Sequence, residues 1–254
     1  MQSPPILDDF YLHVPNDSGG VVFEKVAIGP CSYRAVGRSM LAREMKVPSC
    51  EDIAFLLRAA YTSRRGKLPD EFSFVRKCAE NGLFLFVRNI LAERNFYVLP
   101  DNLAEGTPKS FSPEIIERVL EARKEITSVP YEKFSPVSYL SSDRIVNDGL
   151  VNAYFGKNGA RAIADVCEKT RKPLRIDIPE ERNLACTVSS INFGFNDWAS
   201  LECRYSDGDT FPIRQESGDY QRYFAYSFPV VTRDKEKITG WIREKAISPG
   251  YVKS

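Results

Sequence analysis

Apolar and polar positions follow two different periods along the chain, and the change of period divides it. Residues 1–20 carry Pro4, Pro5, Pro15 and a Ser18-Gly19-Gly20 turn, which predicts an extended N-terminal arm lying over the surface. VVFEKVAIG, from Val21 to Gly29, has the β-branched content of a strand, and the Gly29-Pro30 pair is expected to end it. A helix is predicted over 33–45. Ser49, followed three residues on by Asp52, reads as a capping box, and Ile53, Leu56, Leu57 and Ala60 form the apolar stripe of the helix it opens. The next helix, over 69–81, turns Phe72, Val75 and Cys78 or Ala79 inward and stops at Gly82. LFLFVRNIL fits a buried helix or a strand, because a short apolar run has no period that separates the two; NFYVLP reads as a strand. Pro113 stands at the first position of a helix that repeats Ile115, Ile116, Val119, Leu120 and Ile126 at helical spacing. Two short helices, over 142–155 and 159–170, flank the Gly156 to Gly159 stretch.

From Pro173 the period shortens to two. PLRIDI, ACTVSSINF, WASLECRY, TFPIRQ and YQRYFAYSFPVV read as strands, with a Ser206-Asp207-Gly208-Asp209 turn among them and a closing helix over 233–246 that buries Ile238, Trp241 and Ile242. The pattern predicts an α+β protein with a helix-rich N-terminal two thirds and a C-terminal, mainly antiparallel sheet. Behind the arm, residues 21–254 read as a single α+β domain, with a conceivable subdivision near 135–140 into a helical part, 21–135, and a β-rich part, 140–254.

Composition narrows the class without naming an activity. A chain of 254 residues that is 43% hydrophobic and 27% charged can bury a full core, which excludes a disordered tail or a small disulfide-dependent scaffold. With 35 Lys and Arg against 34 Asp and Glu, the net charge of +1 removes the global electrostatic case for a non-specific nucleic-acid binder. Basic residues outnumber acidic ones between Lys25 and Lys77, a bias that solvated helix surface accounts for. No run of about 20 apolar residues could span a bilayer, and MQSPPILDDF lacks the features of a signal peptide, so the expected location is cytoplasmic, with no membrane partner. Cys31, Cys50, Cys78, Cys167, Cys186 and Cys203 are widely spaced, which favours reduced thiols.

Three stretches, CEDIAFLLRAAYTS, FLFVRNILAERNFYVLPD and VNAYFGKNGARAIADVCEKTRKPLRI, in that order resemble a group of archaeal hypothetical proteins without an assigned function. The resemblance covers roughly residues 50–175 and departs from the group, which is rich in Trp in its middle segment, at Leu83 to Phe86. It implies an archaeal or archaeal-virus source and supplies no activity and no site residue.

His13 is the sole histidine, so a multi-His metal site is impossible, and no CxxC pair supports a zinc ribbon or thioredoxin-like chemistry. Gly156-Lys157-Asn158-Gly159 lacks the Ser or Thr that would reach magnesium; it leaves backbone N–H groups at a helix start where an anion could sit, although a turn between helices uses the same residues. Cys31, with Arg34 and Arg38 nearby, is the sharpest nucleophile candidate, but Arg38 follows it one residue too late for a cysteine-phosphatase loop. Asp101 and Asp177, each at a strand end, are the best-placed carboxylates for metal-dependent hydrolysis. No cofactor and no metal is expected.

One binding expectation has a geometric basis. Period-2 alternation puts Tyr220, Arg222, Phe224, Tyr226 and Phe228 on one strand face, with Arg204 and Arg214 on neighbouring candidate strands. Aromatics and Arg on a sheet hold single-stranded nucleic acid, although a hydrophobic core with Tyr hydroxyls at its rim uses the same pattern and carries more weight. The expectation is an intracellular, non-enzymatic binding or interaction protein whose partner is a single-stranded nucleic acid or another protein; the alternative is a hydrolase or nuclease built on Asp101 and Asp177.

Overall fold

The structure, a computed structural model, describes residues 11–16, 19–62, 70–92, 95–101, 127–133, 137–178, 185–205 and 225–232. Among these, strands occur along the whole chain. β1 (Tyr11–Val14), β2 (Val21–Glu24) and β3 (Ile28–Cys31) precede α1 (Tyr33–Ala42), α2 (Cys50–Thr62) and α3 (Asp70–Asn81). β4 (Leu83–Ala92), β5 (Asn95–Pro100), β6 (Thr127–Pro130) and β7 (Val137–Leu140) follow, then α4 (Ser142–Ile145) and α5 (Gly149–Thr170). β8 (Leu174–Asp177), β9 (Ala185–Asn192), β10 (Ala199–Tyr205), β11 (Ala225–Ser227) and β12 (Val230–Thr232) close the described chain.

This corrects the expected segregation of helices and sheet. β1, β2 and β12 form a three-stranded antiparallel sheet, and the other nine strands form a second sheet whose main path runs β3-β11-β4-β9-β10-β8-β7, with β5 and β6 added beside β4. One sheet therefore takes strands from both sides of residues 135–140. Residues 11–14 of the expected arm are a strand paired with β2, and the cis Gly29-Pro30 bond lies inside β3 instead of ending a longer strand. The expected helices over 112–126 and 233–246 lie outside the described residues.

The ambiguous run LFLFVRNIL is β4, and its environment explains its unbroken apolarity. Leu83, Leu85 and Val87 face a core shared with α2 and α5, while Phe84 and Phe86 face a second cluster formed with Tyr33, Val36 and Met40 of α1. A strand covered on both faces carries no polar alternation. The register of β4 against β9 shifts between Leu85 and Asn89, where the Asn89 amide donates to Ser189 Oγ (2.7 Å) inside the core.

Two helix starts form as their residues dictate. Ser49 N–H donates to Asp52 Oδ2 (2.8 Å) and Asp52 N–H donates to Ser49 Oγ (3.1 Å), the reciprocal capping box of α2. Asp148 caps α5 by accepting from the N–H groups of Leu150 and Val151 (2.9 Å each). Within α5, Gly156 breaks the helical path at φ 66°, ψ 173°, so the two predicted helical pieces are joined across a kink. Glu51 Oε1 of α2 lies 3.8 Å from where a Cβ on Gly156 would stand. The chain's own carboxylate therefore stands beside the helix start at which the sequence left room for an anion.

Candidate functional site

The expected catalytic residues are placed apart. Asp101, directly after β5, is 1% exposed, and its N–H donates to Phe86 O (2.9 Å). Its Oδ1 accepts from Arg88 Nε (3.0 Å) and Nη2 (2.8 Å), and its Oδ2 accepts from Tyr33 Oη (2.9 Å). Burial first, and then the charge of Asp101, push the Tyr33 hydroxyl well above the ordinary tyrosine range, so it stays protonated and donating. The cluster clasps α1, β4 and β5 together. Asp177 lies on β8, four strand steps from β5 through β4, β9 and β10, or about 19 Å at the usual strand spacing. One cation cannot bridge that gap, and among the described residues no three His, Cys, Asp or Glu side chains converge on a metal-sized site.

Cys31 ends β3 opposite Ala225, and its half-buried side chain packs against the cluster of Tyr33, Val36 and Met40. Arg38 lies exposed on α1, away from that packed stripe. Arg204 lies on β10 opposite Val188. Its side chain, like all of Arg214, Tyr220, Arg222 and Phe224, is outside the described residues. At the described end of the same row, Phe228 is fully buried and meets Phe74 edge to face at 6.2 Å, while Tyr226 packs partly buried against the core.

An aromatic and arginine surface exists elsewhere. β8 alternates Leu174 and Ile176 into the core with Arg175 and Asp177 outward, and β7 pairs Tyr139 with Arg175 and Val137 with Asp177. Tyr139 is 51% exposed and Val137 44% exposed. The Arg175 guanidinium carbon lies 5.9 Å from the Tyr139 ring centre and 5.6 Å from that of Trp198, within cation–π range of both. Trp198 in turn meets Tyr139 edge to face at 6.1 Å and stacks on Phe195, itself 37% exposed, at 5.4 Å and 19°. Arg175 Nη2 makes one long contact, 3.3 Å, with Asp177 Oδ2. On β10, Ser200 stands beside Arg175 and Glu202 beside Asp177, and the Ser200 hydroxyl donates to Glu202 Oε1 (2.9 Å).

The loop that displays Phe195 and Trp198 is pinned at its base. Phe193 N–H donates to Ala79 O (2.9 Å), and Lys172 Nζ donates to the carbonyls of Phe193 (2.8 Å) and Phe195. Gly194 passes so close to α3 that a Cβ there would stand 2.0 Å from Glu80 O, so only glycine fits. Ala199 N–H then donates to Pro173 O (3.0 Å), tying the end of the loop to the start of β8. The arrangement carries a standing cost: Arg175 Nε and Trp198 Nε1 are shielded from solvent without an acceptor, about 1–3 kcal/mol each. Two large rings of the cluster, Tyr139 and Phe195, nevertheless stand exposed.

No family model and no curated protein matches the chain. A solved structure described as "Accommodation of massive sequence variation in Nanoarchaeota by the C-type lectin fold" is similar over 78% of this chain and 92% of that one, with 10% identity and a TM-score of 0.47. That likeness assigns neither a fold nor a function here. No helix among the described residues is long and apolar enough to cross a membrane.

Sequence reasoning missed Tyr139, Arg175 in this role, Phe195 and Trp198. The signal lay in two places: LRID alternates charged with aliphatic residues, and GFNDW, after the buried Phe193, sets two aromatics among turn-forming residues, where core packing does not explain them.

Proposed function

We propose that the protein is a non-enzymatic binding module that takes a polypeptide partner on the surface formed by Tyr139, Arg175, Phe195 and Trp198. The observation that carries this reading is the rigid display of exposed rings around one arginine. Trp, Tyr and Arg are the residue types in which binding energy concentrates, and a cluster already fixed by its neighbours loses little further freedom on binding. Charges of both signs border the cluster: Lys172 Nζ holds the Phe195 carbonyl, Arg175 contacts Asp177, and Asp197 adjoins Trp198 in the loop. A phosphate backbone asks for a uniformly positive groove, so the mixed surface suits a polypeptide better than single-stranded nucleic acid. The hydrolase alternative draws no support from Asp101, whose carboxylate oxygens are both held by protein donors. A cytoplasmic setting belongs to the same proposal, supported by the free thiols of Cys31, Cys50, Cys78, Cys167 and Cys203.

The test is selection from a displayed random-peptide library on the immobilised protein, with fluorescent single-stranded DNA and RNA titrated in parallel. The expected result is enriched peptides that bind at least tenfold more weakly to Trp198→Ala and Arg175→Ala. No enrichment on a monomeric chain, or salt-sensitive nucleic-acid binding indifferent to both substitutions, would overturn the reading.

A further inference from the structure

We propose that the partner taken by this surface is a second copy of the same chain, arranged about a two-fold axis that crosses β8 near Ile176. The inference rests on the binding reading above and names the occupant. Arg175 and Asp177 project from the same face of β8 two positions apart, about 7 Å along the strand. Across β7 the register adds exposed Tyr139 to the arginine end and exposed Val137 to the aspartate end. The row thus has a cationic, aromatic end at Arg175 and Tyr139 and an anionic end at Asp177 and Val137.

An isologous interface must complement itself, because each residue meets the two-fold image of its opposite number. A two-fold axis between the ends lays Arg175 on the partner's Asp177 and Asp177 on the partner's Arg175. Both new pairs would supplement the one long contact, 3.3 Å, that Arg175 now makes with Asp177 of its own chain. Exposed Tyr139 and Val137 lie in the same rows and supply the apolar area that the symmetry doubles. A row with both signs at this spacing complements its own two-fold image, pair for pair.

Sedimentation velocity of the full chain over a concentration series is the test, with circular dichroism as a folding control. The expected species has twice the 28.8 kDa mass of the chain. R175D and D177R should each weaken self-association at least tenfold, since each makes the surface repel its own image. An equimolar mixture of R175D and D177R should associate again, and the double variant R175D/D177R should recover the dimer.

A wild-type chain that is monomeric up to about 100 μM overturns the proposal, as do single variants that dimerise as tightly as wild type, or a mixture of folded variants that stays monomeric. If a charge variant does not fold, Tyr139→Ala replaces it, and a dimer as tight as wild type in that variant overturns the proposal as well. A monomeric wild type that still selects peptides lost on Trp198→Ala would leave the binding reading standing and remove the second copy as occupant. A monomer that selects none would remove both.

Discussion

Two clusters in this molecule are built from the same three residue types, and they differ in every physical respect that decides a role. In the first, Arg88 grips Asp101 with two donors at 2.8 and 3.0 Å while the Tyr33 hydroxyl takes the other oxygen, and the carboxylate is wholly buried. In the second, Arg175 touches Asp177 once at 3.3 Å, the carboxylate is 31% exposed, and Tyr139 offers the arginine its ring face. A buried carboxylate must have every lone pair answered, so the first cluster is closed and structural. The second is left open, with the Tyr139 and Phe195 rings toward solvent, which is the state of a surface that gains by being covered.

The largest effect should come from breaking the closed cluster. Arg88→Ala removes both guanidinium donors from the buried Asp101 carboxylate and should cost about 3–5 kcal/mol of stability in urea unfolding. A loss under about 1 kcal/mol would erase the distinction between the two clusters.

Next comes Tyr33→Phe, which keeps the ring against Phe84 and Phe86 but removes a donor to a buried carboxylate; about 1.5–3 kcal/mol should be lost. The same substitution has a signature in pH. Because burial raises the Tyr33 hydroxyl above its unfolded value near 10, the neutral form contributes stability that is complete below that value and lost as pH rises through the raised one. Cys78 and Cys167, pushed up to about 12 by burial, add the same sign of loss from near 9 toward 12. Wild-type stability should therefore fall above pH 9, and Tyr33→Phe should flatten the part of that fall above pH 10. An identical alkaline slope in the two proteins would show that the hydroxyl is not held as described.

Arg175→Ala, by contrast, should change stability by no more than about 1 kcal/mol, because one long contact between partly exposed groups contributes little, while weakening binding at the surface at least tenfold. The smallest effect belongs to Trp198→Phe. It keeps a ring in place and deletes an N–H that has no acceptor, so thermal unfolding should be unchanged or raised slightly, within about 1 kcal/mol. A loss well beyond that would mean that the indole N–H is satisfied after all.

The contrast also shows what the sequence could reveal. Helices with a local signature were legible: the expected spans 33–45 and 69–81 and the helix opened by Ser49 correspond to Tyr33–Ala42, Asp70–Asn81 and Cys50–Thr62. Ser49 and Asp52 specify their helix start through contacts three residues apart, and such contacts are written locally. The division into a helical part and a sheet part was lost because sheets are specified at long range. β4 pairs with β9, with Asn89 reaching Ser189 one hundred residues on, and four-residue strands such as TSVP and VSYL are too short to display a period. Asp101 was recognisable as a strand-end carboxylate, but not that Arg88 and Tyr33 would close around it. The open cluster gathers Tyr139, Arg175 and Trp198 from three separate segments, and only the alternation in LRID and the aromatics of the turn-rich loop after Phe193 pointed to it.

Hydroxyl-radical footprinting of the wild-type protein at low and high concentration tests the central claim on both clusters in one experiment. Tyr139, Phe195 and Trp198 should oxidise in dilute solution and become protected together as concentration rises, while Tyr33 stays unmodified throughout. Unchanged oxidation of those three rings, with protection appearing at some other surface, would contradict the assignment of the open cluster as the place where this protein meets another chain.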